Sequence, residues 1–147
     1  MNSPSMTSQS LTEKFALIHE HWRHKVVAKL NGQEVKLAKL CGVFPWHHHE
    51  HEDEMFLVWR GRMKIEFREH VVELGAGEFC VVPRGTEHRT MADNEVEVSY
   101  LNRRKLGIRA TSWTVKTTES NKGTAADCLR GMSVARLLSL AVTTRLS

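Results

Sequence analysis

Hydrophobic and polar residues alternate with a period of two along most of the segment 25–101. The first alternating runs, "KVVAKL" and "QEVKLAKL", flank the dipeptide Asn31-Gly32. A type I′ turn needs positive φ at both central residues, and Asn-Gly meets that need, so the pattern predicts a β-hairpin. The residues expected to share a strand face are Val26, Ala28 and Leu30 in the first strand, and Val35 and Leu37 in the second.

The same alternation continues through five further short apolar runs. "MFLVWRGRMKIEF" predicts two strands broken at Gly61, and "HVVEL" leads into the Gly-rich turn "GAGE". "FCVVP" predicts a strand that ends at Pro83, and "EVEVSYL" places Val96, Val98 and Tyr100 on one face. Strands separated by turn signals roughly every 8–12 residues are typical of an all-β sandwich or barrel.

The two ends of the chain have different patterns. Residues 1–9 are polar and expected to be disordered, whereas "SLTE" is a capping box that predicts a short helix through Phe15 and Ile18, which could extend to Trp22. "GIRATSWTVKT" could add a strand, and "CLRGMSVARLLSLAVTTRL" has a weak helical pattern. We therefore predict one main domain at 10–115 and a C-terminal extension at 116–147, containing a linker and a weak helix.

Charge is divided unevenly along the chain. Residues 1–101 contain 12 Lys and Arg against 15 Asp and Glu, whereas residues 102–147 contain 9 against 2. A basic tail of this kind can contact nucleic acid, but no aromatic-rich basic motif supports that reading, and a solvated tail is the simpler expectation. No apolar run is long enough for a membrane helix, and an odd number of cysteines favours a reducing compartment, so the prediction is a cytoplasmic protein.

The stretch "PWHHHEHEDEM" at 45–55 concentrates histidines and acids. As a helix it would align His47, His51 and Glu54 on one face, although "MFLVW" after it favours strand. As strand, turn and strand it would place His47 and His49 on one sheet face and begin the next strand at Glu54. The segment lacks the cysteine spacing that a zinc finger requires, and a solvated surface loop is the remaining alternative. These residues alone leave the choice open.

A second stretch, "GEFCVVPRGTEH" at 77–88, makes the chain resemble the cupin superfamily. Its residues match the second cupin motif at Gly77, Pro83, Gly85 and His88, with Ala92 replacing the final Asn. The first cupin motif is matched by His47, His49, Glu54 and Gly61, while its leading glycine, Gly42, lies one position late. The resemblance covers roughly residues 11–98 and is greatest to small single-domain cupins described as mannose-6-phosphate isomerase-like. The basic tail is a departure from it.

The resemblance implies a small antiparallel cupin β-barrel, also called a double-stranded β-helix or jelly roll, with a metal at its centre. The implied ligands are His47, His49, Glu54 and His88, with Asp53 as the alternative carboxylate. Imidazole and carboxylate donors suit a divalent Fe, Mn, Ni, Zn or Cu ion. The expected function is binding of, or action on, a small oxygenated molecule, by isomerase-like or dioxygenase chemistry; the alternative is a non-catalytic sensor or accessory protein.

Other residues near the motifs are assigned supporting roles. His48, His51, Glu50 and Glu52 are expected to face solvent, and Phe44, Trp46 and Phe79 to line the barrel. Arg84 and Arg89 could attract an anionic substrate, although surface arginines are more often salt-bridged. An isomerase also needs a base, for which Glu66 and Glu87 are the candidates. Exposed strand edges make a homodimer reasonable.

Overall fold

The computed structural model describes residues 6–103. One short helix precedes seven strands in this part of the chain. Their bounds are α1 Leu11–Ala16, β1 Lys25–Leu30, β2 Gln33–Val43, β3 Glu54–Arg60, β4 Arg62–Phe67, β5 Val71–Gly75, β6 Phe79–Val82 and β7 His88–Arg103. The predicted all-β barrel class with a short N-terminal helix is confirmed.

The helix begins where the capping box predicts and ends earlier than its apolar pattern suggests. The Ser10 hydroxyl accepts a hydrogen bond from the Glu13 backbone N–H at 3.3 Å. The helix ends at Ala16, and Trp22 has a φ of 63°, so the extension to Trp22 is wrong. The indole N–H of Trp22 instead donates to the Cys41 carbonyl, which holds the ring against β2.

The predicted hairpin between β1 and β2 is present. Asn31 and Gly32 have φ values of 50° and 73°, as a type I′ turn requires. Pairing shifts by one residue between Val26 and Ala28, so these two side chains do not share a face, contrary to the expectation for β1. Val26 is 45% exposed as a result of lying outside the packed region.

β7 is the central strand and organises the barrel. The hydrogen-bonded strand order is β1-β2-β7-β3-β6, with β4 paired to β5 and β7. The first residues of β7 pair with β4, its last residues pair with β3, and β2 follows it along the other side. This strand begins at His88, seven residues before the run "EVEVSYL" that predicts it, and it thereby joins the two halves of the barrel.

The core lies inside the barrel and follows the predicted alternation. Val96 and Val98 of β7 are fully buried, and Tyr100 packs against the same cluster. The members of this cluster are Ala38, Leu40, Phe56, Val58, Met63, Ile65, Leu74, Val82, Ala92, Val96 and Val98. A second, smaller cluster lies outside the barrel, where Phe15 and Ile18 pack on Leu37.

The remaining predictions concern residues beyond the described part. The disordered N-terminus falls largely there, and the strand and helix predicted after residue 103 fall there completely, together with Cys128. The domain boundaries at 115 and 116 therefore stay predictions. Within residues 6–103, no helix is long and apolar enough to cross a membrane.

Candidate metal centre

Two separate stretches of the chain are joined at the candidate site by backbone hydrogen bonds. The His47 N–H donates to the His88 carbonyl at 3.0 Å, and the His88 N–H donates back to the His47 carbonyl at 2.9 Å. The Gly85 N–H also donates to the His49 carbonyl. The segment 47–49 therefore runs antiparallel to the start of β7 as an additional strand-like edge, which is the strand, turn and strand alternative for the histidine cluster.

The alternation of this edge directs His47 and His49 inward together with His88. The ring centroids of His47 and His88 lie 4.4 Å apart, and those of His47 and His49 lie 5.4 Å apart. His48, between them, is exposed. Glu54 is the first residue of β3 and only 7% exposed. One donor atom from each of His47, His49, Glu54 and His88 lies within 4.8 Å of the others.

Backbone carbonyls determine which imidazole nitrogen faces the centre. Nδ1 of His47 lies 2.9 Å from the Pro45 carbonyl, and Nδ1 of His88 lies 2.9 Å from the Thr86 carbonyl. A carbonyl oxygen only accepts, so Nδ1 carries a proton in both rings, and Nε2 is the nitrogen that faces the centre. This is the arrangement found around metal-bound histidines, whose second nitrogen donates to the protein.

Glu54 supplies a buried negative charge among these nitrogens. Its Oε2 lies 3.0 Å from His49 Nε2 and 3.7 Å from His88 Nε2. Burial raises the pKa of Glu54, but the neighbouring imidazoles of His49 and His88 outweigh burial and lower that pKa to about 2. The carboxylate is therefore ionised at neutral pH, whereas burial lowers the pKa of His47 to about 4 and keeps that imidazole neutral.

These residues fit a divalent transition metal. His88 Nε2 is completely buried and has no hydrogen-bond partner among residues 6–103, which is costly unless another group binds it. Metal–donor distances of about 2.0–2.2 Å place neighbouring donors about 3 Å apart, close to the separation of His49 Nε2 and Glu54 Oε2. Three imidazoles and one carboxylate are also the donor types that Fe, Mn, Ni, Zn and Cu accept.

Glu52 contradicts the expectation that it faces solvent. Its side chain is only 10% exposed, and its carboxylate lies 3.6 Å from Nδ1 of His49. His49 is thus flanked by one acid on each side of its ring, because the turn at 50–53 folds back over it. The other three residues predicted to face solvent do so: His48, Glu50 and His51 are exposed.

Asp53, the alternative carboxylate, lies outside the site. It accepts hydrogen bonds from the Arg84 backbone N–H at 2.9 Å and from the Arg84 guanidinium at 3.3 Å. These bonds hold the pKa of Asp53 below its usual range. The pair joins the loop before β3 to the loop before β7, so Arg84 serves this contact and is not placed as an anion receptor.

Several predicted barrel-lining residues lie on the outer surface instead. Phe79 is 62% exposed, because Cys80 and Val82 are the residues of β6 that face the barrel. The Trp46 side chain lies on the opposite side of the chain from that of His47. The guanidinium carbon of Arg68 lies 3.9 Å from the centroid of the Trp46 ring. Only Phe44 faces the site as predicted, with its ring 4.9 Å from that of His47.

The two acids considered as bases are also outside the barrel. Glu87 receives two hydrogen bonds from Arg68, at 2.8 and 2.9 Å, and Glu66 is paired with Arg89. Both pairs lie on the outer surface of β4 and β7. Arg89 is therefore one of the salt-bridged surface arginines, as the simpler expectation had it.

Two polar residues at the site are absent from the sequence-based assignment. Asn102 is 8% exposed and donates through Nδ2 to Oε1 of Glu54 at 3.2 Å. Lys36 donates in turn to Oδ1 of Asn102 at 3.0 Å. Asn102 continues the alternation of Val98 and Tyr100 by one step, and that signal could have placed it inside the barrel.

Comparisons with known proteins agree with this geometry. The Cupin_2 family model, described as a cupin domain, matches residues 26–102. The chain belongs to the cupin family. The match includes all four candidate ligands of the cupin centre.

A relative of this cupin has a name that states no activity. Uncharacterized protein YdbB of Bacillus subtilis (strain 168) is 37% identical over 65 residues, which are 44% of this chain and 58% of YdbB. The match thus spans less than two thirds of that relative's length.

Two solved structures are similar to this chain over about two thirds of its length. A cupin-2 domain containing protein from Shewanella frigidimarina NCIMB 400 is 38% identical, with a TM-score of 0.65 over 65% of this chain and 94% of that one. Protein NMB1881 from Neisseria meningitidis is 25% identical, with a TM-score of 0.62 over 67% of this chain and 100% of that one. These matches show the family and its barrel.

Proposed function

We propose that this cupin binds one divalent transition metal through His47, His49, Glu54 and His88 and uses it to bind a small oxygenated molecule. The observation that supports the proposal is the buried Nε2 of His88, which has no hydrogen-bond partner in the described part of the chain and lies beside two further imidazoles and an ionised carboxylate. When bound, the metal would polarise an oxygen atom of the ligand. On a six-coordinate ion, four protein donors leave two positions for that ligand, or one position if the carboxylate binds through both oxygens.

The chain's own residues provide a largely apolar surrounding for the site. Phe56 and Phe67 contact His88 with ring centroids at 6.0 and 6.3 Å, and Phe44 contacts His47. Aromatic walls with a few convergent polar groups are typical of small-molecule sites. The aromatic rings exclude water from the buried nitrogens, and the polar groups orient the bound small molecule.

The choice between reaction types depends on a proton acceptor. An isomerase must move a proton between carbons, but Glu66 and Glu87 are bound to arginines on the outer surface. Burial, with the Glu54 charge as a smaller cause, raises the pKa of Tyr100, so its phenol stays protonated and cannot act as a proton acceptor. This favours oxygenase-like chemistry or ligand binding over mannose-6-phosphate isomerase-like chemistry.

Metal analysis tests the proposal directly. Protein purified without a metal-affinity resin should contain close to one Fe, Mn, Ni, Zn or Cu ion per chain, measured by elemental mass spectrometry. His49→Ala combined with His88→Ala should remove that metal. His48→Ala combined with His51→Ala removes two exposed imidazoles from the same region and is the matched control, which should retain it. Equal metal content in both double variants would refute the site.

A second measurement separates catalysis from binding. Sugar phosphates and keto compounds would be added to Co²⁺-loaded protein with and without oxygen, and the visible absorption of Co²⁺ and product formation would both be followed. A spectral change without turnover would favour the non-catalytic sensor or accessory role. A change with product would establish an enzyme and show whether oxygen is consumed.

The expected partners and the cellular setting of the protein are separate from the metal site. The partner that the site favours is a small molecule, with no role assigned to nucleic acid. A homodimer and a cytoplasmic setting remain predictions, to be checked by sedimentation and by fractionation of cells.

A further inference from the structure

Asn102 connects the candidate ligand Glu54 to a lysine inside the barrel. Its Nδ2 donates to Glu54 Oε1 at 3.2 Å, and its Oδ1 accepts from Lys36 Nζ at 3.0 Å. Lys36 also lies 3.4 Å from Oε2 of Glu34. All four side chains lie at one end of the barrel interior, where β2, β7 and β3 are adjacent.

The amide of Asn102 has one favourable orientation in this setting. Its oxygen faces an ammonium, which only donates, and its NH₂ group faces a carboxylate, which only accepts. Rotating the amide by 180° would place oxygen against the carboxylate and NH₂ against the ammonium. Lys36 therefore determines which group Asn102 presents to Glu54.

The two oxygens of Glu54 consequently have different partners. Oε2 lies 3.0 Å from His49 Nε2, at the centre of the site, whereas Oε1 is bound by Asn102. A carboxylate can bind a metal through one oxygen or through both. The hydrogen bond to Oε1 favours the first arrangement, because it occupies a lone pair of Oε1 and holds that oxygen toward Asn102.

We propose that Lys36 and Asn102 form a positioning relay that holds Glu54 so that it binds the metal through Oε2 alone. The inference rests on the proposed metal site. A carboxylate bound through both oxygens would occupy one more coordination position. The relay keeps that position open for a ligand. Lys36 acts through Asn102 and does not itself contact the site.

The test uses metal-free protein titrated with Co²⁺, with affinity and visible absorption measured together. Asn102→Leu removes both hydrogen bonds at similar volume, and the affinity should fall about 10–100-fold, as when other hydrogen-bond partners of metal ligands are lost. Freed Oε1 should raise the coordination number, which weakens the Co²⁺ absorption bands.

Lys36 is tested without changing the net charge. Glu34→Gln combined with Lys36→Met removes one charge of each sign, and the affinity should fall by a smaller factor than in Asn102→Leu. Adding both changes to Asn102→Leu should have little further effect, because a relay acts through its middle member. The matched control is Lys39→Met combined with Glu97→Gln, an ion pair on the outer face of the same sheet, which should leave affinity unchanged.

Each outcome identifies which inference fails. Wild-type protein that does not bind Co²⁺ would refute the proposed site and the relay with it. Tight wild-type binding with an affinity within about twofold in Asn102→Leu would refute the relay alone. Additive effects of the Asn102 and Lys36 changes would also refute it. If Asn102→Leu does not give a native circular dichroism spectrum, the Glu34 and Lys36 double variant carries the test, and its unchanged affinity and absorption would overturn the relay.

Discussion

A His–Glu pair lies on the inner face of the barrel, and another His–Glu pair with a similar distance lies on its outer face. Inside the barrel, His49 Nε2 lies 3.0 Å from Glu54 Oε2, with side chains 11% and 9% exposed. Outside, His21 Nε2 lies 2.9 Å from Glu95 Oε2, with side chains 27% and 36% exposed. The inner pair has two further imidazoles beside it, whereas the outer carboxylate has Lys39 nearby. Pair distance alone therefore does not identify a metal site; the number of donors and their burial do.

The largest expected effect is the loss of stability when a phenylalanine on the inner face of the barrel is truncated, compared with a phenylalanine on the outer face. Phe56 is 2% exposed in the barrel core, and Phe56→Ala should lower the free energy of unfolding by about 3–5 kcal/mol. Phe79, 62% exposed, is the control, and Phe79→Ala should cost under about 1 kcal/mol. Urea denaturation would measure both, and similar losses would contradict the orientation of β6.

The next effect concerns the carboxylates of the two His–Glu pairs. Glu54→Gln keeps the shape but removes the ionised donor, so metal affinity should fall by about 100-fold or more, or about 2.7 kcal/mol. Glu95→Gln makes the same change outside the barrel and should leave metal affinity unchanged. Metal titration of both apoproteins would decide, and an equal loss in the two would show that long-range charge, not coordination, controls binding.

A smaller effect is expected at the turn between β3 and β4. Gly61 has a φ of 91°, and a Cβ there would lie 3.0 Å from the Glu95 carbonyl oxygen. Gly61→Ala should therefore cost about 1–3 kcal/mol. Gly77 has a φ of 83° with nothing within 4 Å, so Gly77→Ala measures the backbone strain without the close contact. Thermal unfolding should show a larger loss for Gly61→Ala; equal losses would mean that the contact relaxes without cost.

The smallest effect is expected for the outer pair itself. A double-mutant cycle with His21→Ala and Glu95→Ala should give an interaction energy below about 1 kcal/mol, because a partly exposed pair of this kind is weak and is screened by salt. Repeating the unfolding measurements in high salt should reduce it further. A salt-independent value well above this range would mean that the outer pair is structurally equivalent to the inner one.

Predictions from local pattern were mostly correct for the strands and the helix start. The Asn31-Gly32 hairpin and the break at Gly61 are present, because turns depend on the φ preferences of two or three adjacent residues. The strand that begins at Glu54 and the alternation of Val96 with Val98 are also confirmed. The four candidate ligands are brought together, although metal binding by them stays a proposal.

The errors share a physical cause, because strand pairing and the folding of turns, rather than the alternation along one strand, decide these side-chain directions. "FCVV" in β6 is apolar at every position, so only its pairing with β3 decides that Cys80 faces inward and Phe79 outward. The shift between Val26 and Ala28 likewise depends on how β1 pairs with β2. Glu52 approaches His49 because the turn folds back, and no periodic pattern indicates that.

By itself, the sequence determined where the turns at Asn31-Gly32 and Gly61 lie and which side chains can serve as metal donors, since both depend on near neighbours in the chain. Only the tertiary structure decided that Asn102 and Lys36 meet Glu54, because three strands far apart in sequence must be aligned before those side chains come within hydrogen-bonding distance. The identity of the four candidate donor residues follows from the local sequence. The orientation of their side chains and the shape of the site around them result from closure of the barrel.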